Sequence, residues 1–435
     1  MSGSLDPPIR GYHSCSRGAA EAAIRTGGLT MSTCDLADEY FNRSLATVRG
    51  TERQHRQVRY AVFSRTPGLL TGVADVAGLL RRRCAGPVTL RSQPEGRAFA
   101  AGEVVMTIEG PFGQLVCLET EILGLLALSG AAGMMAEIVA AAGVPVIDMA
   151  ARHYPPELIP RLAVAAAVGG AAGTSTRAGH AEVHARFGVG GDRIRIADGP
   201  ARPFQLYGSI PHALNAVFEG SSIESAAAYH ERCPKVPLTV LIDYEGRERD
   251  VVAEAVRRFG SSLYAVRLDT CGNRVHQGGH EKTERALEMR ILSQAADRAA
   301  AAAALERYGF GPGVTIEETY AIRGLLDSLG AKSTRILVSS GFDLQKVRAF
   351  AACRAPIDAI GTGSWVCFAM FTADVVAVLE NGQWVPRCKA GRAEELQVPE
   401  SLPQEWRIGS ESPTGGTESA VGEKENAPPA QPPES

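Results

Sequence analysis

Four apolar runs in this chain end in the same way. LYAVRLDTCG at 263–272, PLTVLIDYEG at 237–246, TRILVSSGFD at 334–343 and PIDAIGTGS at 356–364 each give way at the carboxyl end to Asp, Ser, Thr, Gly or Arg, ahead of a segment of helical period. A strand that is apolar throughout is covered on both faces, which is the condition of a parallel sheet flanked by helices. Polar residues gathered at strand carboxyl ends are the mark of a β/α barrel whose chemistry sits at one rim.

The same alternation predicts strands at 144–149, 171–175, 204–209, 237–243, 263–269, 334–340 and 356–360, with helices at 158–168, 211–218, 249–259 and 281–307. Successive units of this kind cross over with one hand and form a barrel or an open parallel sheet. The short run at 171–175 and the weak signal over 309–333 predict an irregular one. Ahead of it, helical starts at 36–44 and 73–83, then short strands broken by Gly and Pro over 87–115, predict an α+β domain. Strands beyond 365, with a hairpin turning at Asn381-Gly382, return to that domain. The expected fold class is α/β: an irregular β/α barrel over 126–365 and a discontinuous, sandwich-like α+β domain over 31–125, completed by about 366–407. The ends, 1–30 and 408–435, are too polar and too rich in Gly, Ser and Pro to offset the entropy of ordering, and are expected as a flexible and a disordered tail.

With 435 residues and a net charge of −3, the chain has room for two domains and no electrostatic reason to seek nucleic acid or an anionic membrane. Its nine cysteines contain no CxxC pair, which argues against a disulfide framework and a structural zinc site. The apolar stretch 127–147 carries Glu137 and many Ala and Gly, and reads as a buried helix running into a strand, not as a membrane span. No basic stretch followed by an apolar core opens the chain, so a cytoplasmic protein is expected.

The rim expected from these strands carries cationic and hydroxyl groups in place of a metal cage. Arg152 and His153 follow the first strand, Thr174 and Ser175 end the second, Ser209 and His212 flank the third, and Arg267 with Asp269 ends the fifth. Ser339, Ser340 and Gly341 end the sixth, and Gly361, Gly363 and Ser364 the seventh, each just before a helical segment. Backbone amides at a helix start, with glycine allowing close approach, suit a phosphate monoester.

In this order the pieces TCDLADEYF, MAARHYPPE, GSIPHAL, LIDYEG, VRLDT, SSGFD, DAIGTGS and KAGR cover about 33–395. The arrangement resembles the nicotinate phosphoribosyltransferases, of type II phosphoribosyltransferase fold. The resemblance implies that nicotinate displaces pyrophosphate from C1 of phosphoribosyl pyrophosphate (PRPP), giving nicotinate mononucleotide for NAD synthesis. It implies Mg²⁺ brought in with PRPP, ATP as a co-substrate, and a homodimer or larger oligomer with a shared active site. His212 matches the histidine that the family phosphorylates, and Ser209 stands where the family usually has Thr and is expected on the nicotinate. Arg152 is expected to meet the nicotinate carboxylate or a phosphate. Asp243 and Asp269 would hold ribose hydroxyls or Mg²⁺, or else cap the helices that follow, with Arg267 on phosphate. Gly341, Gly361, Gly363 and Ser364 would cradle the 5-phosphate, and Tyr40 would stack on the pyridine ring from a neighbouring subunit.

Three departures stand out: Tyr244 in LIDYEG, Gln345 in SSGFDLQKV, and a lengthened, basic segment at 193–203 that bears on substrate choice. The competing readings are a quinolinate phosphoribosyltransferase, which decarboxylates its acceptor, and a non-catalytic metabolite-binding relative.

Overall fold

The computed structural model describes residues 35–392 and 396–409. Seven short parallel strands make one sheet: Val146–Asp148, Gly173–Thr174, Gln205–Leu206, Leu238–Leu241, Leu263–Leu268, Arg335–Val338 and Ala359–Thr362. Counted first to seventh along the chain, they lie side by side in the order third, second, first, seventh, sixth, fifth, fourth. Consecutive strands other than the third and fourth are neighbours in space, and the seventh strand pairs back onto the first. Among the described residues the third and fourth strands do not pair, so the sheet is an irregular barrel open along one seam.

Six of the seven strands fall inside the predicted runs, shortened because the polar residues at their carboxyl ends leave the ladder for the rim; the seventh, expected at 356–360, instead runs on through Thr362. Val240, Val266, Leu268, Ile336, Val338 and Ile360 are buried in one core with helix residues such as Val251, Ile322 and Val347. Several helices start on a side-chain cap: Thr176 accepts from Gly179 N–H, Ser221 from Glu224 N–H, Thr315 from Glu318 N–H and Asp343 from Lys346 N–H.

The run Phe112–Ala142 is long and apolar enough to cross a membrane by length and composition. It is nevertheless divided into four helical pieces, and the last, Ser129–Ala142, buries Ala131, Ala132, Met135 and Ile138 in the barrel core.

A second, antiparallel sheet has the order Gln383–Pro386, Phe371–Glu380, Gln57–Ser64, Val104–Pro111, Val88–Ser92, Gln404–Ile408. It therefore draws strands from both ends of the chain around its own core of Val62, Leu80, Leu90, Val105 and Ile108. Asn381 and Gly382 turn its hairpin with φ of 50° and 77°, the left-handed pair that Asn-Gly supplies at low cost.

Several sequence readings are corrected. The single helix expected over 281–307 is two, Arg285–Gln294 and Arg298–Tyr308, because Asp297 caps the second by accepting from Ala299 and Ala300 N–H. The weak stretch 309–333 contains the helix Ile316–Ser328, whose signal is blurred by the inward-facing Glu317 and Glu318. Strand Gln57–Ser64, central in its sheet, and helices Arg177–Phe187 and Ser222–Arg232 had no counterpart in the reading. The last strand runs through Ile408, into the stretch expected as tail; 1–30, Thr33, Cys34 and 410–435 lie outside the described residues.

Candidate active site

Four strand ends converge on one polar cluster. Arg267, in the last turn of the fifth strand's ladder, donates from Nη1 to Ser209 Oγ at 2.6 Å and from Nη2 to Asp269 Oδ2 at 3.0 Å. Ser339 Oγ, after the sixth strand, donates to Asp269 Oδ1 at 2.8 Å. His212, at the start of helix His212–Val217, places Nε2 3.0 Å from Asp243 Oδ2 and Nδ1 3.9 Å from Asp269 Oδ2. Ser209 and His212 follow the third strand and Asp243 follows the fourth, so side chains span the seam that the backbone leaves open.

The electrostatics single out the His212–Asp243 pair. Asp243 is 7% exposed; burial pushes its carboxyl up, the hydrogen bond and charge of His212 pull it down, and Asp269 pushes it up again. Its second oxygen, Oδ1, is buried without a hydrogen-bond partner. With Nε2–H donated to Asp243, a neutral His212 ring keeps its lone pair on Nδ1, the nitrogen on the Asp269 side. Tyr244, one of the departures, has its ring centroid 6.2 Å from that of His212.

The first, second and seventh strands contribute differently. Thr174 is 1% exposed, and its hydroxyl donates to Asp148 Oδ2 at 2.8 Å while Ala150 N–H donates to Oδ1 at 2.9 Å. Thr174 thus orients Asp148, whose carboxyl burial pushes up. Ser175 is exposed, with its N–H on the Asp148 carbonyl. Arg152 lies exposed on the short turn Ala151–His153 and has no hydrogen bond or ion pair among the described residues, so its guanidinium is free for a ligand. Gly361 is buried in the seventh strand; at Gly363 a Cβ would fall 2.9 Å from the exposed His153 ring and 3.1 Å from the Met149 carbonyl, so a side chain there would require a neighbour to shift. Ser364 is exposed beside it and its N–H donates to Thr362 Oγ1. Ser340 and Gly341 sit on the turn into helix Leu344–Ala352. Tyr40 is not brought to this rim within one chain: it is 59% exposed on helix Glu39–Val48, against Phe41.

Asp148 and Lys346 escaped the sequence reading. Asp148 ends a strand in the same register of the pattern as Asp243 and Asp269, a signal that was present. Lys346 is adjacent to Gln345, which instead binds Arg307 on the surface. The basic segment 193–203 is a hairpin pairing Arg193–Ile194 with Arg202–Pro203. Arg202 donates to the carbonyls of Ala171 and Ala167 at the end of helix Ile159–Val168, and Arg193 to Ala201 O, so both cations serve the backbone.

Residues 38–129 match the family model described as the N-terminal domain of quinolinate phosphoribosyl transferase. Over most of its length the chain is similar in structure to nicotinate-nucleotide pyrophosphorylase from Pyrococcus furiosus (TM-score 0.62, 24% identity, 88% of this chain and 81% of that one). It is also similar to human nicotinic acid phosphoribosyltransferase (TM-score 0.52, 17% identity, 81% and 76% covered). The fold is that of the type II phosphoribosyltransferases. Within that class the sequence resemblance is to nicotinate phosphoribosyltransferases: that named pncB1 from Mycobacterium tuberculosis is 26% identical over 370 residues, 79% of this chain. The chain spans 65% of the length of that relative.

Proposed function

We propose that the protein is a cytoplasmic nicotinate phosphoribosyltransferase that makes nicotinate mononucleotide and pyrophosphate from nicotinate and PRPP, for NAD synthesis. The observation that carries this reading is the polar cluster at one barrel rim, in which the hydrogen-bonded set Ser209–Arg267–Asp269–Ser339 and the pair His212–Asp243 approach each other to 3.9 Å. In the reaction the nicotinate nitrogen bonds to C1 of the ribose as the bond from C1 to pyrophosphate oxygen breaks. Positive charge grows on the sugar and negative charge on the leaving group, so carboxylates belong beside the ribose and guanidinium groups beside the phosphates. Asp269 and Asp243 are the carboxylates at hand, and Arg267 and the unpartnered Arg152 the cations. Nicotinate nitrogen is already a nucleophile, which fits a rim with few candidate bases.

Mg²⁺ enters with PRPP; the unpartnered Asp243 Oδ1 is the protein oxygen suited to it or to a ribose hydroxyl, and the ion supplies neutralisation of the pyrophosphate charge. ATP transfers its γ-phosphoryl group to His212 Nδ1, the nitrogen left free by Asp243, releasing ADP; water later takes the phosphoryl group. The 5-phosphate lies against Gly341, Gly361, Gly363 and Ser364. A second copy of the chain covers the rim with Tyr40, whose exposure, with that of Leu36 beside the same helix, supports such a partner.

A quinolinate phosphoribosyltransferase is the second reading, favoured by the family model matched at 38–129. The test is pyrophosphate release and product identity with PRPP and nicotinate, nicotinamide or quinolinate, each with and without ATP. Turnover with nicotinate that ATP stimulates is expected. Turnover with quinolinate alone would overturn the assignment, and PRPP binding without turnover would leave a metabolite-binding protein.

A further inference from the structure

Behind the turn at Ser340 and Gly341 lie Thr270, Glu318 and Lys346, which the function above leaves unused. Ser340 and Gly341 have φ of 74° and 69°, in the left-handed region that a serine adopts only when held there. Two contacts hold it, and a third fastens the first of them. Ser340 Oγ donates to Thr270 O at 3.2 Å, Thr270 Oγ1 donates to Glu318 Oε1 at 2.8 Å, and Lys346 Nζ donates to Ser340 O at 3.1 Å.

Lys346 stands in the first turn of helix Leu344–Ala352, and its stem runs back beneath the turn 340–343. It is 9% exposed, with Nζ 4.5 Å from the ring centroid of Phe342 and 5.8 Å from that of Phe350. The charged groups facing it are Glu318 from helix Ile316–Ser328, Asp343 from its own helix cap and Asp269 from the loop after the fifth strand. A lysine is rarely buried to this extent unless it has a partner to serve. Here burial pushes the ammonium down to about 8.

We propose that Lys346 is a positioning residue for the phosphoribosyl donor: by fastening the Ser340 carbonyl it keeps the turn at 340–341 left-handed, so that the turn's N–H groups face the donor's 5-phosphate. The proposal rests on the function given above. Successive N–H groups in such a turn form an anion-binding concavity, and a Cβ at the exposed Gly341 would meet nothing within 4 Å, so the concavity is open. The ammonium's hydrogen bond is to the Ser340 carbonyl.

Calorimetric binding of PRPP to the full chain, beside steady-state kinetics and thermal melting, tests it. Lys346→Met keeps the apolar stem and removes the ammonium. PRPP affinity is expected to fall about tenfold, the loss of one charge-assisted hydrogen bond, with the nicotinate KM unchanged. Adding Ser340→Gly, which is at ease with positive φ, is expected to restore most of that affinity. Unchanged affinity in Lys346→Met overturns the proposal, and a loss that Ser340→Gly does not restore assigns the lysine a direct charge role and overturns it too. Ser340→Val probes the same turn without touching Lys346 and covers the case in which Lys346→Met does not fold: a β-branched residue resists positive φ, so affinity should again fall, and an unchanged constant overturns the claim. Failure of the wild-type chain to bind PRPP would sink the proposed function instead, and this proposal with it.

Discussion

Asp269 is where the reading can be tested hardest. Its two oxygens serve Arg267 and Ser339, and its side chain and that of Arg267 are each 14% exposed, so solvent screens the pair little. Asp269→Asn preserves the shape: the amide oxygen still accepts from Arg267, and Ser339 turns to accept from the amide. What is lost is the charge. Replacing a charge-assisted hydrogen bond by a neutral one costs about 1 kcal/mol in the ground state. A carboxylate about 4 Å from a growing ribosyl cation contributes up to about 4 kcal/mol at an effective dielectric of about 20. With part of that already spent on Arg267, a net loss of about 3–4 kcal/mol in the transition state corresponds to about 10²–10³-fold in rate. The fall should appear in kcat, with the PRPP KM little changed, because the charge is needed only as the C1 bond breaks. Steady-state pyrophosphate release with a melting curve on the same sample measures both. A loss below about tenfold, or a fall in rate matched by a collapse of melting temperature, would refute the electrostatic role and leave Asp269 a strut for Arg267.

Three further outcomes are expected. His212→Ala should abolish stimulation by ATP while sparing much of the ATP-independent rate; equal loss of both would contradict a coupling role. Burial pushes Glu318 up to about 8, so its contribution to stability is complete below its unfolded value and is lost as pH rises through the folded one. Melting temperature should therefore decline from about pH 5 to about pH 8 in the wild type and much less in Glu318→Gln; parallel profiles would refute the assignment. Arg202→Met removes the side-chain donor of the Ala171 carbonyl, while the Ala167 carbonyl keeps the Gly170 N–H, and should cost about 1–3 kcal/mol of stability while leaving kcat/KM for nicotinate unchanged, measured by denaturant unfolding and assay; a change in acceptor preference would show that the hairpin selects substrate.

Strand and helix positions in the barrel were largely legible because burial on both faces forces apolar runs such as LTVL at 238–241, and emergence at the rim forces polar endings such as Asp243 and Asp269. Strand Gln57–Ser64 was missed although Pro67-Gly68 follows it: QVRYAVFS has no clean alternation, and its place is fixed by partners at 104–111 and 371–380 that are remote in sequence. Ile316–Ser328 was hidden for a different reason. Glu317 and Glu318 face inward, toward His280 and Thr270, so the polar side of this helix is not its wet side. Thr174 looked like a rim hydroxyl and is spent on Asp148, because a two-residue strand leaves it in the interior layer.

The linear order of residues determined the kind of sheet, the rim at which its polar groups collect, and the identity of Arg267, Asp269, Asp243 and His212 as candidates, since each follows from local pattern and side-chain chemistry. Tertiary structure alone decided that Ser209 and His212 reach across an unpaired seam to those acids, that Thr174 and Arg202 are consumed internally, and that Lys346 grips the turn before its own helix. Such contacts join positions tens of residues apart, and their distances are set by how strands register and helices pack, which no short stretch of sequence encodes.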